Sequence, residues 1–454
     1  MPQSPREPSR PPRVRQVRHG RLRRRRPALF LLTYAAAIVA VLVVSGGSLG
    51  AYATYSVLKD AKPTVHLRVI AAPGKTATPP PALTAATGAV NLLMVATDTR
   101  TGQGAAFSDK ADLEASSGVG NNDTNILVHI ADDHKSMSVV SFPRDLMLPI
   151  PACPDSSGGT YPATSKGMLN TSLSRGGDDA DGLSCVASTI TQLTGVQIDY
   201  AALVSFDGVV AMSNAIGGVT VCLATPLNDT DVTPALHLPA GNVDLVGDQA
   251  AAFLRSRHGV GDGSDLGRLS NQQTFMSAMM RQIVSGGVLT KPTRLFDLAD
   301  AVVSNTTRSD TLSDPTTLVK IGLAIKSVGL SNITFVQYPA VDDPDNANRV
   351  VPNLVAGKAL NAALQNNQAL QLAPGSLGRA AELAPGSTTA ATATPSAAAS
   401  AAPSATSSAA ASAATSPTSS GSATPSTDSG PSVAVLPGSV TGQSADQVTC
   451  TKKD

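Results

Sequence analysis

From Ala28 to about Ala53 the chain carries no charged residue. As an α-helix that run is long enough to cross a hydrocarbon core of about 30 Å. Ten arginines and one acid lie just before it, within residues 6–26. Cytoplasmic flanks of membrane spans retain positive charge, so the basic block is expected inside the cell and everything after Lys59 outside. Two other uses of the same residues carry less weight. A nucleic-acid arm has no reason to abut an apolar span, and a signal peptide cleaved after "AYA", Ala51–Ala53, would be shorter in both its basic and its apolar part. The reading is a retained single-pass anchor in the cell membrane, residues 28–53, behind a cytoplasmic basic segment, residues 1–27.

Setting that block aside changes the charge balance. Its ten positive charges and one negative charge amount to +9, so the remainder stands at −8 against a total of +1. Aromatic residues are 3% of the chain and tryptophan is absent, which removes the stacking platform that binds single-stranded nucleic acid. No nucleic-acid partner is expected. Four cysteines, Cys153, Cys185, Cys222 and Cys450, fall beyond the anchor, where disulfides persist. None has the spacing of a zinc site. Pairing of Cys153 with Cys185 is favoured, because each flanks one segment in loop-forming composition.

Residues 54–87 are rich in proline and threonine and read as a stalk. Beyond them, "AVNLLMVATD", "TNILVHIA" and "SMSVVSFPRD" are apolar runs of strand length, the last stopped by Pro143. "SCVASTITQLTG" has helical spacing closed by Gly195, and "SFDGVVAMSNAIGG" reads as a helix from about Asp207 to Ile216. "LVGDQAAAFLRSRH" places Val246, Ala250, Phe253 and Leu254 on one helical face, and "DLGRLSNQQTFMSAMMRQIV" is a longer amphipathic helix. Strands interleaved with helices predict an α/β domain of about 250 residues, a sheet covered by helices on both faces. Past Ala384 comes a tract of Ala, Ser, Thr and Pro with too little hydrophobic bulk to offset chain entropy, read as disordered. The segment after it is too short for a domain, although Cys450 could tether it.

Asp98 in "ATDTR" ends one strand and Asp123 in "GNNDTN" opens the next. If those strands are neighbours, the carboxylates meet at one sheet edge, which suits Mg2+, a cation usually held by one or two carboxylates with waters and phosphate oxygens. Each acid also has an ordinary use as a turn or cap residue. Arg144 follows a strand beside Asp145, where a plain surface ion pair would account for it. Arg255 and Arg257 are two residues apart, so they diverge on a helix and share a side on an extended chain. For both to face one ligand, the helix must end near Arg255, and Gly259, Gly261 and Gly263 permit that exit. Arg268 then enters the next helix near its N-terminus, where main-chain N–H groups favour an anion, and Gln272 lies four residues on. Forked guanidinium groups around one pocket suit a pyrophosphate. His258 reads as a loop residue rather than a general base. No GxSxG elbow, Walker-type glycine loop or HExxH is present.

Taken in order, "NLLMVATDTR", "NNDTNILVHI", "VVSFPRD", "GVQIDYAALVSFDGVVAMSNAIGGVTVCL", "LPAGNVDLVGDQAAAFLRSRH" and "GDGSDLGRLSNQQTF" resemble the LytR-CpsA-Psr family of bacterial cell-envelope proteins, most closely its actinobacterial members. The resemblance covers residues 88–285 and extends more weakly to about 370. It implies an α-β-α sandwich with a central mixed sheet at residues 88–372, after one transmembrane helix and before a low-complexity, disordered tail at 373–454. It also implies transfer of a glycosyl phosphate from a polyprenyl-pyrophosphate-linked glycan to peptidoglycan, at a muramic acid C6 hydroxyl, with the lipid in an apolar tunnel between sheet and helices. By motif, Asp98 and Asp123 would hold Mg2+, or Mn2+ in its place. Arg100, Arg144, Arg255 and Arg257 would act catalytically on the pyrophosphate, Arg268 and Gln272 would bind it, and Asp265 would orient the arginines. Three positions depart from the family pattern. Ala96 stands where glycine is usual, Met168 where many relatives have lysine, with Lys166 the nearest replacement, and Asn271 where arginine is frequent. The same grip with water as acceptor would make a pyrophosphatase; without turnover it would make a lipid-binding envelope regulator.

Overall fold

The structure is a computed structural model, and it describes residues 59, 61–71, 74–76, 78–84, 86–100, 118–288, 291–387 and 432–453. The chain divides into two compact units, residues 1–56 and 57–454; all described residues belong to the second. The anchor expected at 28–53 and most of the Ala/Ser/Thr/Pro tract lie outside them. Among the described residues, no helix is long and apolar enough to cross a membrane.

The strands that build the domain are β1 (Thr64–Val65), β2 (Val90–Thr97), β3 (Asn122–Ile130), β4 (Met137–Phe142), β5 (Tyr200–Val204), β6 (Val219–Leu223), β7 (Gly241–Leu245), β8 (Thr306–Ser309), β9 (Ile333–Gln337), β10 (Ala381–Leu383), β11 (Gly442–Ser444) and β12 (Thr449–Thr451). The main sheet runs β1-β8-β5-β2-β3-β4-β9-β11. It is mixed: β5 pairs with β2 in parallel, and β3 is antiparallel to both β2 and β4. The helices are α1 (Asp179–Thr194), α2 (Phe206–Ile216), α3 (Asp248–Arg255), α4 (Asp265–Val284), α5 (Pro292–Asn305), α6 (Pro315–Val328) and α7 (Leu354–Gln365). Gly195 and Gly217 stop α1 and α2 with φ of 71° and 83°, a conformation that costs a residue without Cβ little.

Alternation along β2 and β3 decides which face each side chain serves. Leu93 and Leu127 pack with Val186 and Ile190 of α1 and Leu360 and Leu364 of α7. Ile126 and Val128 point the other way, into a second core with Met280 of α4 and Ile321 and Ala324 of α6. Helices thus cover both faces of a central mixed sheet, as the strand and helix pattern predicts.

Two boundaries need correction. Within the stretch expected as a stalk, residues 64–70 belong to the domain: Val65, Leu67 and Val69 pack against the first core, and β1 pairs with β8. The Arg68 and Ile70 amides donate to Ser184 and Ser188 of α1 at 3.1 and 2.9 Å. The physical reason is the alternation Val65-His66-Leu67-Arg68-Val69, whose apolar side needs cover. The C-terminal segment is likewise no appendage. Strand β11 closes one edge of the main sheet, and β12 enters a second sheet of order β7-β6-β12-β10. Disulfides join Cys153 to Cys185, as expected, and Cys222 to Cys450. Cys185 lies within α1, however, and not in a loop.

Candidate functional site

Strand β2 ends at Thr97, and its antiparallel partner β3 begins at Asn122. Register runs Ala96 to Thr124 and then Thr97 to Asn122, so Asp123 is the extra residue of a bulge. Bulges re-aim a side chain, and this one turns the carboxylate of Asp123 toward the arginines. Asp98 stands beside it, as the strand order predicts. Its Oδ1 accepts from the Asn121 amide at 2.7 Å, so it also closes the turn.

Helix α3 ends at Arg255, and Ser256 leaves it with ψ of 132°. Helix α4 starts at Asp265 under the Ser264 cap, whose hydroxyl accepts from the Gly267 amide at 3.1 Å. Arg257 therefore lies past the end of the helix, on a bend whose carbonyl accepts from the Val260 amide at 3.2 Å, and Arg268 sits in the first turn of α4, an exit that the glycines permit.

Four charged side chains, those of Arg144, Asp123, Arg268 and Asp265, form one network. Arg144 Nη1 donates to Asp123 Oδ1 at 2.8 Å, and Arg268 Nη2 donates to Asp265 Oδ1 at 2.6 Å and to the Asp123 carbonyl at 3.0 Å. The Arg144 amide donates to Asp265 Oδ2 at 3.2 Å. Asp145, adjacent to Arg144, pairs more closely with Arg349, at 3.2 Å. Among the described residues, the guanidinium of Arg257 makes no hydrogen bond or ion pair, although it is partly buried beside this network. Burial lowers its pKa, and the positive charges of Arg268 and Arg144 lower it further, against weaker support from Asp265 and Asp123. Arg144 differs: burial pulls its pKa down, but Asp123, then Asp145 and Asp265, more than reverse that. The Nε atoms of Arg144 and Arg268 are buried without a hydrogen-bond partner. These two N–H donors, with the Arg257 guanidinium, are the cationic groups of this cluster left without a hydrogen-bond acceptor among the described residues.

Arg100 and Arg255 make a second group. The Arg255 guanidinium lies 4.6 Å from the centre of the Phe206 ring and donates to the Thr233 carbonyl. Burial lowers its pKa, and the charge of Arg100 adds to the effect. Both groups open on one cavity of about 530 Å3. Asp98, Arg100, Asp123, Arg255, Arg257, Arg268 and Gln272 line its polar end, while Met94, Ile126, Val209, Met212, Phe275 and Met276 line the rest. Arg144 and Asp265 are not in its wall; they stand behind Asp123 and Arg268. Gln272 reaches the wall, but its Nε2 donates to the Leu254 carbonyl at 3.0 Å, so its donor serves the end of α3.

Sequence reasoning missed Asp229, which is 3% exposed. Its Oδ2 accepts from Ser256 Oγ at 2.6 Å and from the Arg257 and Gly259 amides at 3.2 and 3.3 Å. Burial alone would raise its pKa; these bonds, with one from the Asp231 amide, bring it below the ordinary carboxylate value. Nothing local in "LNDTDV" signals that it will shape a loop far along the chain. His258 is exposed and paired with Asp231 at 2.7 Å; both line the cavity, and with Asp229 they bring three possible ligand atoms within 4.8 Å of one another. Lys166 does not stand in at position 168. Its Nζ is held at 2.8 Å by Asp343 and at 2.5 Å by Asp345, outside the cavity wall.

The LytR_cpsA_psr family model matches residues 52–369. Cell wall biosynthesis protein LcpA of Corynebacterium glutamicum is 31% identical over 274 residues, 56% of this chain and 51% of the relative. The polyisoprenyl-teichoic acid–peptidoglycan teichoic acid transferase TagV of Bacillus subtilis is 26% identical over 192 residues, 42% of this chain and 46% of the relative. The chain thus spans about half the length of the curated relatives it matches. A LytR-Csp2A-Psr enzyme from Actinomyces oris superposes with a TM-score of 0.45 and 21% identity, over 66% of this chain and 96% of that one.

Proposed function

The chain belongs to the LytR_cpsA_psr family, and on that premise we propose that it is a membrane-anchored phosphotransferase acting outside the cytoplasmic membrane. Its donor is a glycan carried on a polyprenyl pyrophosphate, and its acceptor is peptidoglycan. The relatives' names, cell wall biosynthesis protein and teichoic acid transferase, support that class of reaction. The observation that carries it is Arg257: a partly buried guanidinium with no hydrogen bond or ion pair among the described residues, in the wall of a cavity that joins charged groups to a largely aliphatic lining. An isolated charge at such a site is costly, and a bound anion relieves it. A ligand with a multiply charged head and a hydrocarbon tail matches both ends.

In this reading Arg257 and Arg268 take the pyrophosphate oxygens, with Arg100 and Arg255 closing the other side. Arg144 and Asp265 keep Arg268 and Asp123 in place from behind. Gln272 fixes the end of α3. Asp98 and Asp123 offer hard oxygen donors on one wall, which suits Mg2+ or Mn2+, and Asp123 would share its carboxylate with Arg144 and Arg268. The metal would neutralise phosphate charge. An acceptor hydroxyl attacks the sugar-side phosphorus and gives its proton to a carboxylate of the cavity wall, with Asp98 as the candidate, while the bond to the bridging oxygen breaks and polyprenyl phosphate leaves. The arginines stabilise the charge that grows on the phosphoryl oxygens and the leaving oxygen, with no covalent enzyme intermediate required. The uncharged run 28–53, with its arginines on the cytoplasmic side, would hold the domain beside its lipid substrate.

The test is transfer from a synthetic polyprenyl-pyrophosphate disaccharide to peptidoglycan oligomers by the full-length chain. Wild type should form the glycan phosphodiester, and Arg255→Ala/Arg257→Ala should lose at least about 100-fold in rate. Undiminished transfer by the double variant would refute these roles, and release of glycan phosphate only to water would make the protein a hydrolase.

A further inference from the structure

The loop that carries Arg257 is held from outside its own region. At the end of α3 the Phe253 and Leu254 carbonyls lie in the last turn, where helix carbonyls lose their intrahelical partners. Asn271 Nδ2 donates to the first at 2.8 Å, and Gln272 Nε2 to the second at 3.0 Å. These bonds hold the turn at which the chain leaves the helix at Ser256 and carries Arg257 into the following bend.

An amide side chain can do this only in one of its two flip states. Thr451 selects that state. Its hydroxyl donates to Asn271 Oδ1 at 2.8 Å, which directs Nδ2 at the Phe253 carbonyl. Asn271 is 0% and Thr451 2% exposed, so water cannot replace the hydroxyl. The next residues hold the far side of the same loop. The Gly261 amide donates to the Lys452 carbonyl at 2.9 Å. Gly261 has φ of 49° and stands so close that a Cβ there would lie 3.0 Å from the Ala380 methyl. The strand itself is pinned by the Cys222–Cys450 disulfide and by pairing with β6 and β10.

We propose that the C-terminal strand is a positioning element of the arginine loop, with Thr451 acting through Asn271 on the end of α3 and the Lys452 carbonyl acting on Gly261. The stretch beyond the Ala/Ser/Thr/Pro tract thereby completes the site instead of trailing from it. This also gives Asn271, where the family resemblance led one to expect arginine, a defined task. The inference rests on Arg255 and Arg257 being the pyrophosphate grip.

The experiment is titration of full-length chain in detergent with inorganic pyrophosphate and with farnesyl pyrophosphate, for wild type, Thr451→Val, Thr451→Ser and Arg255→Ala/Arg257→Ala. Thr451→Val keeps the shape and removes the donor. It should bind about tenfold more weakly, since small displacements of a binding group are costly, while Thr451→Ser stays within about twofold of wild type. Full affinity in Thr451→Val, together with a loss in the arginine variant, would overturn the inference and leave the ligand assignment standing. Affinity untouched by the arginine variant would sink the assignment and this inference with it. A measurement on wild type covers the case in which Thr451→Val does not fold. In native-state hydrogen exchange, the Gly261 amide should open together with the amides of 449–453 as denaturant rises. Opening of Gly261 well before that strand would overturn the proposal.

Discussion

The two ends of the central sheet both bury polar networks, and they differ in whether the network faces the cavity. At the end of β2 that leads to Asp98, Arg144 and Arg268 pair with Asp123 and Asp265, and the Arg257 guanidinium is left without an ion-pair partner among the described residues, in the wall of a cavity. At the opposite end, His129 Nδ1 lies 2.7 Å from Asn91 Oδ1, and Asn91 Nδ2 donates to Asp199 Oδ2 at 2.8 Å. His129 is 3% and Asp199 4% exposed, Asn91 between them is partly buried, and none of the three lines the cavity. Burial lowers the His129 pKa to about 4 and raises that of Asp199 to about 6. A closed network of this sort serves the fold, whereas an open one facing a cavity serves a ligand.

The largest effect expected comes from breaking the neutralised part of the arginine network. Asp265→Asn leaves Arg268, which is 4% exposed, without its nearest counter-ion and should cost about 3–5 kcal/mol in urea unfolding. A loss below about 1 kcal/mol would mean that these charges are already solvated and the contrast between the two ends is unreal.

The closed network has its own signature in pH. Because the folded-state pKa of His129 is depressed, the unfolded chain binds more protons between pH 4 and 6.5, and stability is lost as pH falls through that window. Asp199 is raised, so the folded chain binds more protons between its ordinary value and about 6, and stability is lost as pH rises there. The two slopes oppose each other. Asp199→Asn should remove one and expose the other, giving a stability that climbs by on the order of 3 kcal/mol from pH 4 to 6.5. A profile unchanged from wild type would show that Asp199 is not raised in the fold, and a flat one in the variant that His129 does not stay neutral there.

Smaller changes sharpen the other side. Arg257→Ala in the ligand-free chain should leave stability unchanged or raise it by up to about 1 kcal/mol, since it removes a cation repelled by Arg268 and Arg144. A clear loss would give Arg257 a structural role. Lys166→Ala, which removes a cation already paired with Asp343 and Asp345 outside the cavity, should change neither pyrophosphate affinity nor the cavity-dependent signals in the same titration.

Much of the open site could be read from local pattern. Gly263 and Ser264 mark the start of α4, the spacing of Arg255 and Arg257 demands a helix end between them, and two strand-length runs place Asp98 near Asp123. What could not be read depends on distance in the chain. Asp229 acts on residues 256–259, Arg144 stands behind Asp123 and not in the cavity wall, and Cys450 meets Cys222 across 228 residues. The error at 54–87 was different in kind. A three-residue alternation of Val65, Leu67 and Val69 is visible, but it lies among prolines and threonines, whose average hides a strand that only a neighbouring edge can complete.

The central claim is that uncompensated guanidinium charge at the open end exists to hold a pyrophosphate. Calorimetric titration with inorganic pyrophosphate tests it most directly, comparing full-length wild type with Arg257→Ala at low and at moderate salt. A charge-assisted, forked contact predicts about 100-fold weaker binding in the variant, with a shallower salt dependence. Equal affinity and equal salt dependence in the two proteins would contradict the account.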